Sequence, residues 1–115
     1  MKTFAAMFPI LPGKTERVRE IGAGLGGEHS DSFDASQKSL GVPVESWHIQ
    51  KTPNGDFLLV YLEAEDPLKM FQTFAGATGP SDVYLKDGIK ECTGVDLNQA
   101  MPGLPTYPVL EYKAQ

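Results

Sequence analysis

His48 follows Trp47 in the run Val44-Glu45-Ser46-Trp47-His48-Ile49-Gln50, and Tyr61 and Tyr84 lie in two later patterned segments. These four are the side chains whose types suit a site. An imidazole titrates near neutral pH, so His48 is the candidate general base or ligand anchor. The plain alternative is a hydrogen-bonded histidine on a partly exposed strand. Strand alternation puts Val44, Ser46, His48 and Gln50 on one face and Glu45, Trp47, Ile49 and Lys51 on the other. Trp47 could line a pocket or anchor a subunit contact, since aromatics are enriched in interface cores. Tyr61 and Tyr84 could border a pocket between sheet and helices, or pack as core residues whose hydroxyls find partners. The ligand-binding set is therefore Trp47, His48, Tyr61 and Tyr84.

Other chemistries find less to work with. Glu28, His29 and Asp31 cluster, and His48 and Cys92 stand elsewhere, but no Cys-x-x-Cys or His-x-x-x-His spacing occurs. That argues against zinc. The glycine-rich Gly22-Ala23-Gly24-Leu25-Gly26-Gly27 ends a helix instead of opening one, and no Gly-Lys-Ser/Thr follows, so it is no phosphate cradle. Cys92 falls on an apolar stripe with Leu85 and Ile89 and reads as a packed, inert thiol. No cofactor is expected. The formal net charge is −5, and the densest basic stretch is Arg17-Val18-Arg19. Nucleic-acid and anionic-membrane surfaces need concentrated positive charge and are disfavoured. With a single cysteine, no intrachain disulfide can form, which points to a reducing compartment. The opening residues, broken by Pro9 and Pro12, make a poor signal peptide, and no run reaches the ~18–20 apolar residues of a membrane span. The expectation is a cytoplasmic protein of one domain over 1–115.

The elements that must position these residues can be read in order. Residues 2–10 form a first strand, and Leu11-Pro12-Gly13-Lys14 a turn. Thr15 is the expected cap of a helix carrying Val18, Ile21 and Leu25 at i, i+3 and i+7. The glycines predict a break near Gly26-Gly27. A second helical piece over about 28–40 carries Phe33, Ala35 and Leu40 and stops at Gly41. Residues 44–65 read as a hairpin around Pro53-Asn54-Gly55-Asp56, because Asn-Gly between apolar runs is a strong turn signal. Asp66 caps the next helix with Pro67 at its first position, and Leu68, Phe71, Phe74 and Ala75 make its stripe. Ser81 or Asp82 is the expected cap of a last helix, and Gly94 its terminator. Residues 96–105 are a connector. Residues 106–112 read as a final strand, placed at a sheet edge by Pro108.

The order is β-α-β-β-α-β with both helical regions doubled, the ferredoxin-like pattern. It is an α+β fold, with a four-stranded antiparallel sheet and helices on one face. The other sheet face should then be polar, yet residues 57–62 are apolar at six consecutive positions. Leaving three such side chains in water would cost on the order of 5–8 kcal/mol, at roughly 1.5–3 each. A second copy packed sheet to sheet is the plainest cover; the alternative is that the 96–105 connector folds over it.

Four segments resemble, in the same order, a family of small uncharacterised bacterial proteins: Pro12-Gly13-Lys14-Thr15-Glu16-Arg17, Gln50-Lys51-Thr52-Pro53-Asn54-Gly55-Asp56, Val60-Tyr61-Leu62-Glu63-Ala64-Glu65-Asp66-Pro67 and Thr93-Gly94-Val95-Asp96-Leu97. That family is similar to the dimeric α/β-barrel superfamily, which includes antibiotic-biosynthesis-type monooxygenases. The glycine-rich first helix departs from the family pattern. The resemblance implies a homodimeric barrel and assigns no activity. Some cofactor-free oxygenases of the superfamily use a His or Trp in the barrel cavity. Two functions follow as expectations. One is a homodimeric domain holding a small apolar or aromatic ligand between sheet and helices. The other is a cofactor-free monooxygenase or isomerase, which requires a closed pocket of about 300 Å³ or more with the His48 ring inside. A filled cavity would instead favour a pure assembly module.

Overall fold

Alternation and the two apolar rows of Phe57 to Leu62 organise the molecule. A computed structural model describes residues 1–114. Three strands, β1 (Lys2–Pro9), β2 (Val44–Thr52) and β3 (Gly55–Ala64), form one antiparallel sheet in the order β1-β3-β2. Four helices accompany it: α1 (Thr15–Leu25), α2 (Ser30–Leu40), α3 (Pro67–Ala75) and α4 (Pro80–Thr93). The helices cover one sheet face. There Phe4 on β1 and Leu58, Val60, Leu62 and Ala64 on β3 are buried with Val18, Ile21 and Leu25 of α1, Met70 and Phe74 of α3, and Leu85, Ile89 and Cys92 of α4. Phe71 packs edge-on against Phe4, with ring centroids 4.8 Å apart.

The turns differ in detail from the sequence expectation. Thr52 pairs with Gly55, so the hairpin loop is the two residues Pro53-Asn54, and Gly55 alone takes positive φ, at 122°. The Thr52 hydroxyl fixes this loop: it accepts from the Asn54 amide at 3.2 Å and donates to the Gly55 carbonyl at 2.7 Å. Thr15 does not cap α1. It is the first helical residue after Lys14, and its hydroxyl donates to Asp56 Oδ2 at 2.6 Å, tying α1 to the hairpin. Neither Ser81 nor Asp82 caps α4. Gly79 holds that position, Pro80 opens the helix, and the Asp82 carboxylate at the third position accepts the Gly79 amide at 3.0 Å. Asp66 caps α3 through the Lys69 amide at 3.1 Å, and Gly94 ends α4 with φ 80°.

The fourth strand expected over 106–112 does not form; three strands are found among the described residues. Pro105 and Pro108 have no N–H to donate, so a continuous ladder through this stretch is blocked. The segment instead runs along β1 in the opposite direction, held by side chains: Thr106 Oγ1 donates to the Ala5 carbonyl at 2.5 Å, Thr3 Oγ1 donates to Glu111 Oε1, and Lys113 Nζ donates to the Met1 carbonyl at 2.5 Å.

Candidate functional site

On the helix side of the sheet lies a cavity of about 50 Å³. The sheet supplies Phe4, Phe8, Trp47, Val60 and Leu62; α3 supplies Met70, Phe71 and Phe74, α4 supplies Leu85 and Ile89, and α2 roofs it with Phe33 and Leu40. The walls are apolar except for two carboxylates and their partners, which lie on the two sides of α2. Glu45 accepts the Trp47 indole N–H and the Gln37 side-chain amide, each at 2.8 Å. Asp82 accepts the Ser36 hydroxyl at 2.5 Å. Ser32 and Ser81 extend this polar seam between α2 and α4, with hydroxyl oxygens 3.0 Å apart and the Ser81 amide donating to Ser32 Oγ at 3.0 Å. Every contact of α2 just named except Phe33 and Leu40 is polar, and no residue of α2 is fully buried. The roof is thus held by hydrogen bonds together with the partly buried Phe33 and Leu40, and Gly41 at its end takes φ 73°.

Of the four residues singled out from the sequence, Trp47 lines this cavity. His48 and Tyr61 point to the opposite, uncovered sheet face, where His48 is exposed. Cross-strand register sets His48 beside Leu59 and Leu59 beside Met7, and sets Ser46 beside Tyr61 and Tyr61 beside Ala5. The Tyr61 hydroxyl donates to Glu63 Oε2 at 2.7 Å. That hydrogen bond, followed by partial burial, holds its pKa above the ordinary phenol value. Tyr84 sits apart on α4, stacked on His29 with ring centroids 4.1 Å apart, and its hydroxyl donates to the Glu20 carbonyl at 3.3 Å. The four therefore occupy three places. The oxygenase chemistry read for His48 needs the imidazole inside a closed pocket; the ring lies exposed on the open sheet face, across the sheet from the Trp47 cavity.

Pattern reading missed the polar residues of the cavity wall. Glu45, Ser36, Gln37 and Asp82 carry no spacing that sets them apart from ordinary surface residues. Only the alternation that joins Glu45 to Trp47 on one face pointed that way. Lys86, with 3 % of its surface exposed, was missed too. Cys92 is buried as expected, and burial pushes its thiol pKa up. Among the described residues no group of three or more His, Cys, Asp or Glu side chains could hold a metal ion, and no helix is long and apolar enough to cross a membrane.

The uncovered face carries a depression of about 410 Å³ bordered by Met7, His48, Leu59, Tyr61 and Thr106. Together the two faces define a small α+β domain whose single sheet has a helix-roofed cavity on one side and an apolar open surface on the other. The chain belongs to a family of unknown function, DUF6176, which matches residues 1–109. No curated protein and no solved structure matches it.

Proposed function

We propose that this chain is a ferredoxin-like domain that binds a small apolar or aromatic ligand between its sheet and helices and works as a homodimer. The observation that carries the ligand reading is the aromatic cavity with a few placed polar groups, where Trp47 and Gln37 both donate to Glu45. Apolar walls with a few placed polar groups are what small-molecule sites look like. At about 50 Å³ the cavity is smaller than the ~150 Å³ that admits a benzene ring. A ring-sized ligand therefore enters by displacing α2, the helix that buries no residue of its own. Displacing α2 gives up the packing of Phe33 and Leu40 and four side-chain hydrogen bonds, each bond worth about 0.5–1.5 kcal/mol net.

Trp47 is the only tryptophan in the chain, so its fluorescence reports on this cavity alone. Titration with phenol, indole, benzoate and short aliphatic acids should shift its emission and raise the melting temperature for at least one of them. Gln37→Ala should tighten that ligand's binding, since it loosens the roof the ligand must displace while Glu45 keeps the Trp47 indole as its partner. A flat Trp47 signal and unmoved melting temperatures across the series would end the ligand reading.

The homodimer rests on the uncovered face. Met7 is 60 % exposed and Val44 42 %, and Phe57, Leu59 and Tyr61 continue the same surface. The ferredoxin-like reading is supported by the 106–113 segment, which runs antiparallel along β1 where a fourth strand would extend the order β1-β3-β2.

A further inference from the structure

The 106–113 segment holds its own chain with polar groups and leaves its apolar ones in water. Its three tethers, Thr106 to Ala5, Glu111 to Thr3 and Lys113 to Met1, use its two charged side chains and its threonine. Tyr107, Val109, Leu110 and Tyr112 are 83–92 % exposed. The spacing of the tethers explains this. From Thr106 to Glu111 the segment takes five steps while β1, from Ala5 to Thr3, takes two. The surplus residues, 107–110, arch outward with a bend at Val109. A monomer's surface is ordinarily arranged the other way, charges outward and apolar side chains inward.

The open sheet face beside the arch has the same character. Its rows are Thr3, Ala5, Met7 and Pro9; Glu63, Tyr61, Leu59 and Phe57; and Val44, Ser46, His48 and Gln50. Glu63 alone is formally charged at neutral pH, and it accepts the Tyr61 hydroxyl. Yet 22 % of the chain is charged. Depletion of charge is what marks the centre of an interface.

We propose that the 106–113 arch is an interface element: it stays tethered to its own β1 and seats its apolar side chains against a second copy of this chain. This rests on the homodimer reading above and adds the part that closes the interface. The occupant is a second copy because arch and open face are continuous, with Thr106 bordering the same depression as Met7, His48 and Leu59. A two-fold axis lets each arch meet the other copy's sheet, so one surface satisfies itself. The area agrees. Each tyrosine brings about 150–250 Å², so the two tyrosines alone supply on the order of half of the roughly 800 Å² per partner that a stable interface buries, and Val109 and Leu110 add to it. The open face supplies the rest.

Sedimentation equilibrium of the full chain and of a Val109→Asp/Leu110→Asp variant tests this. The wild type should be a dimer at micromolar concentration, and the variant's dissociation constant should rise about tenfold or more with an unchanged circular dichroism spectrum. An unchanged constant overturns the arch and leaves the homodimer standing. A wild type with the mass of one chain overturns both. As a second measurement, a nitroxide on Val109→Cys, in chains mixed with isotope-labelled unmodified ones, should broaden the amides of Met7, Leu59 and Tyr61 in the other copy. Unbroadened amides in the isotope-labelled chains, under conditions where the wild type sediments as a dimer, overturn the arch. A monomeric wild type, which overturns the proposal, would leave another protein as the occupant of these rows.

Discussion

Lys86 donates from a buried ammonium to the carbonyls of Ala75, at 3.1 Å, and Ala77, at 2.8 Å, and the nitrogen lies 4.8 Å from the centroid of Phe74. These carbonyls are at and just past the end of α3, where the helix dipole is negative and the last carbonyls lack helical partners. A cation there does for α3 what a surface residue cannot do behind a buried Phe74. Lys86→Met keeps the stem and removes the donors. It should cost about 1–3 kcal/mol, the desolvation penalty of unpaired buried carbonyls, read as a lower denaturant midpoint. The exposed Glu91 sits between Lys14 and Arg17, each with a nitrogen 3.2 Å from a carboxylate oxygen. The hydrogen bond from Lys14, then that from Arg17, holds its pKa below the ordinary 4.5. A carboxylate lowered on folding stabilises the native state above its unfolded pKa, and that contribution disappears as pH falls through the lower folded value. Carboxyl NMR should therefore find Glu91 titrating below 4.5 in the wild type. In a Lys14→Gln/Arg17→Gln variant it should return toward the ordinary value, and added salt should move the wild type the same way.

At the scale of elements, the glycines of α1 and α4 are not equivalent. Gly88 is buried where α4 crosses α1, and a Cβ there would press on the side chain of Ile21, itself fully buried. Gly88→Ala should cost about 1–3 kcal/mol through overpacking. Gly22 faces open space in mid-helix, so Gly22→Ala should stabilise by about 0.5–1 kcal/mol. Thermal melts of the two variants, displaced in opposite directions, check both. The same contrast shows how much was legible beforehand. Long apolar runs and strong punctuation placed all four helices and three strands, because Gly41, Asp66-Pro67 and Gly94 act locally. Thr15 and the 106–112 stretch were misread because each depends on a partner far along the chain. Thr15 prefers Asp56 to its own helix, and Pro108 denies the last segment a ladder that its apolar composition invites. The candidate site was legible as far as strand alternation reaches: it put Trp47 and His48 on opposite faces. It could not say which face the helices cover, nor that Ser36 and Gln37, on a helix with no buried residue, close over Trp47.

For the molecule as a whole, Leu58 and Leu59 are adjacent in β3 and meet different fates. Leu58 is fully buried beneath the helices, while Leu59 lies on the open face between His48 and Met7. Burial of the first belongs to folding, and burial of the second, in the homodimer reading, to association. The two are separable by the same substitution at neighbouring positions. Leu58→Asp places an unpaired carboxylate in the core and should leave the chain unfolded, a loss above about 4 kcal/mol. Leu59→Asp puts the charge in water in the monomer and in the interface only in the dimer. Its native circular dichroism should survive, while its sedimenting mass falls from that of a pair to 12.5 kDa. Leu59→Ala should weaken the pair less, since it removes area without burying a charge. If Leu59→Asp sediments as the wild type does, the open face is not where copies meet, and its apolar rows need another cover.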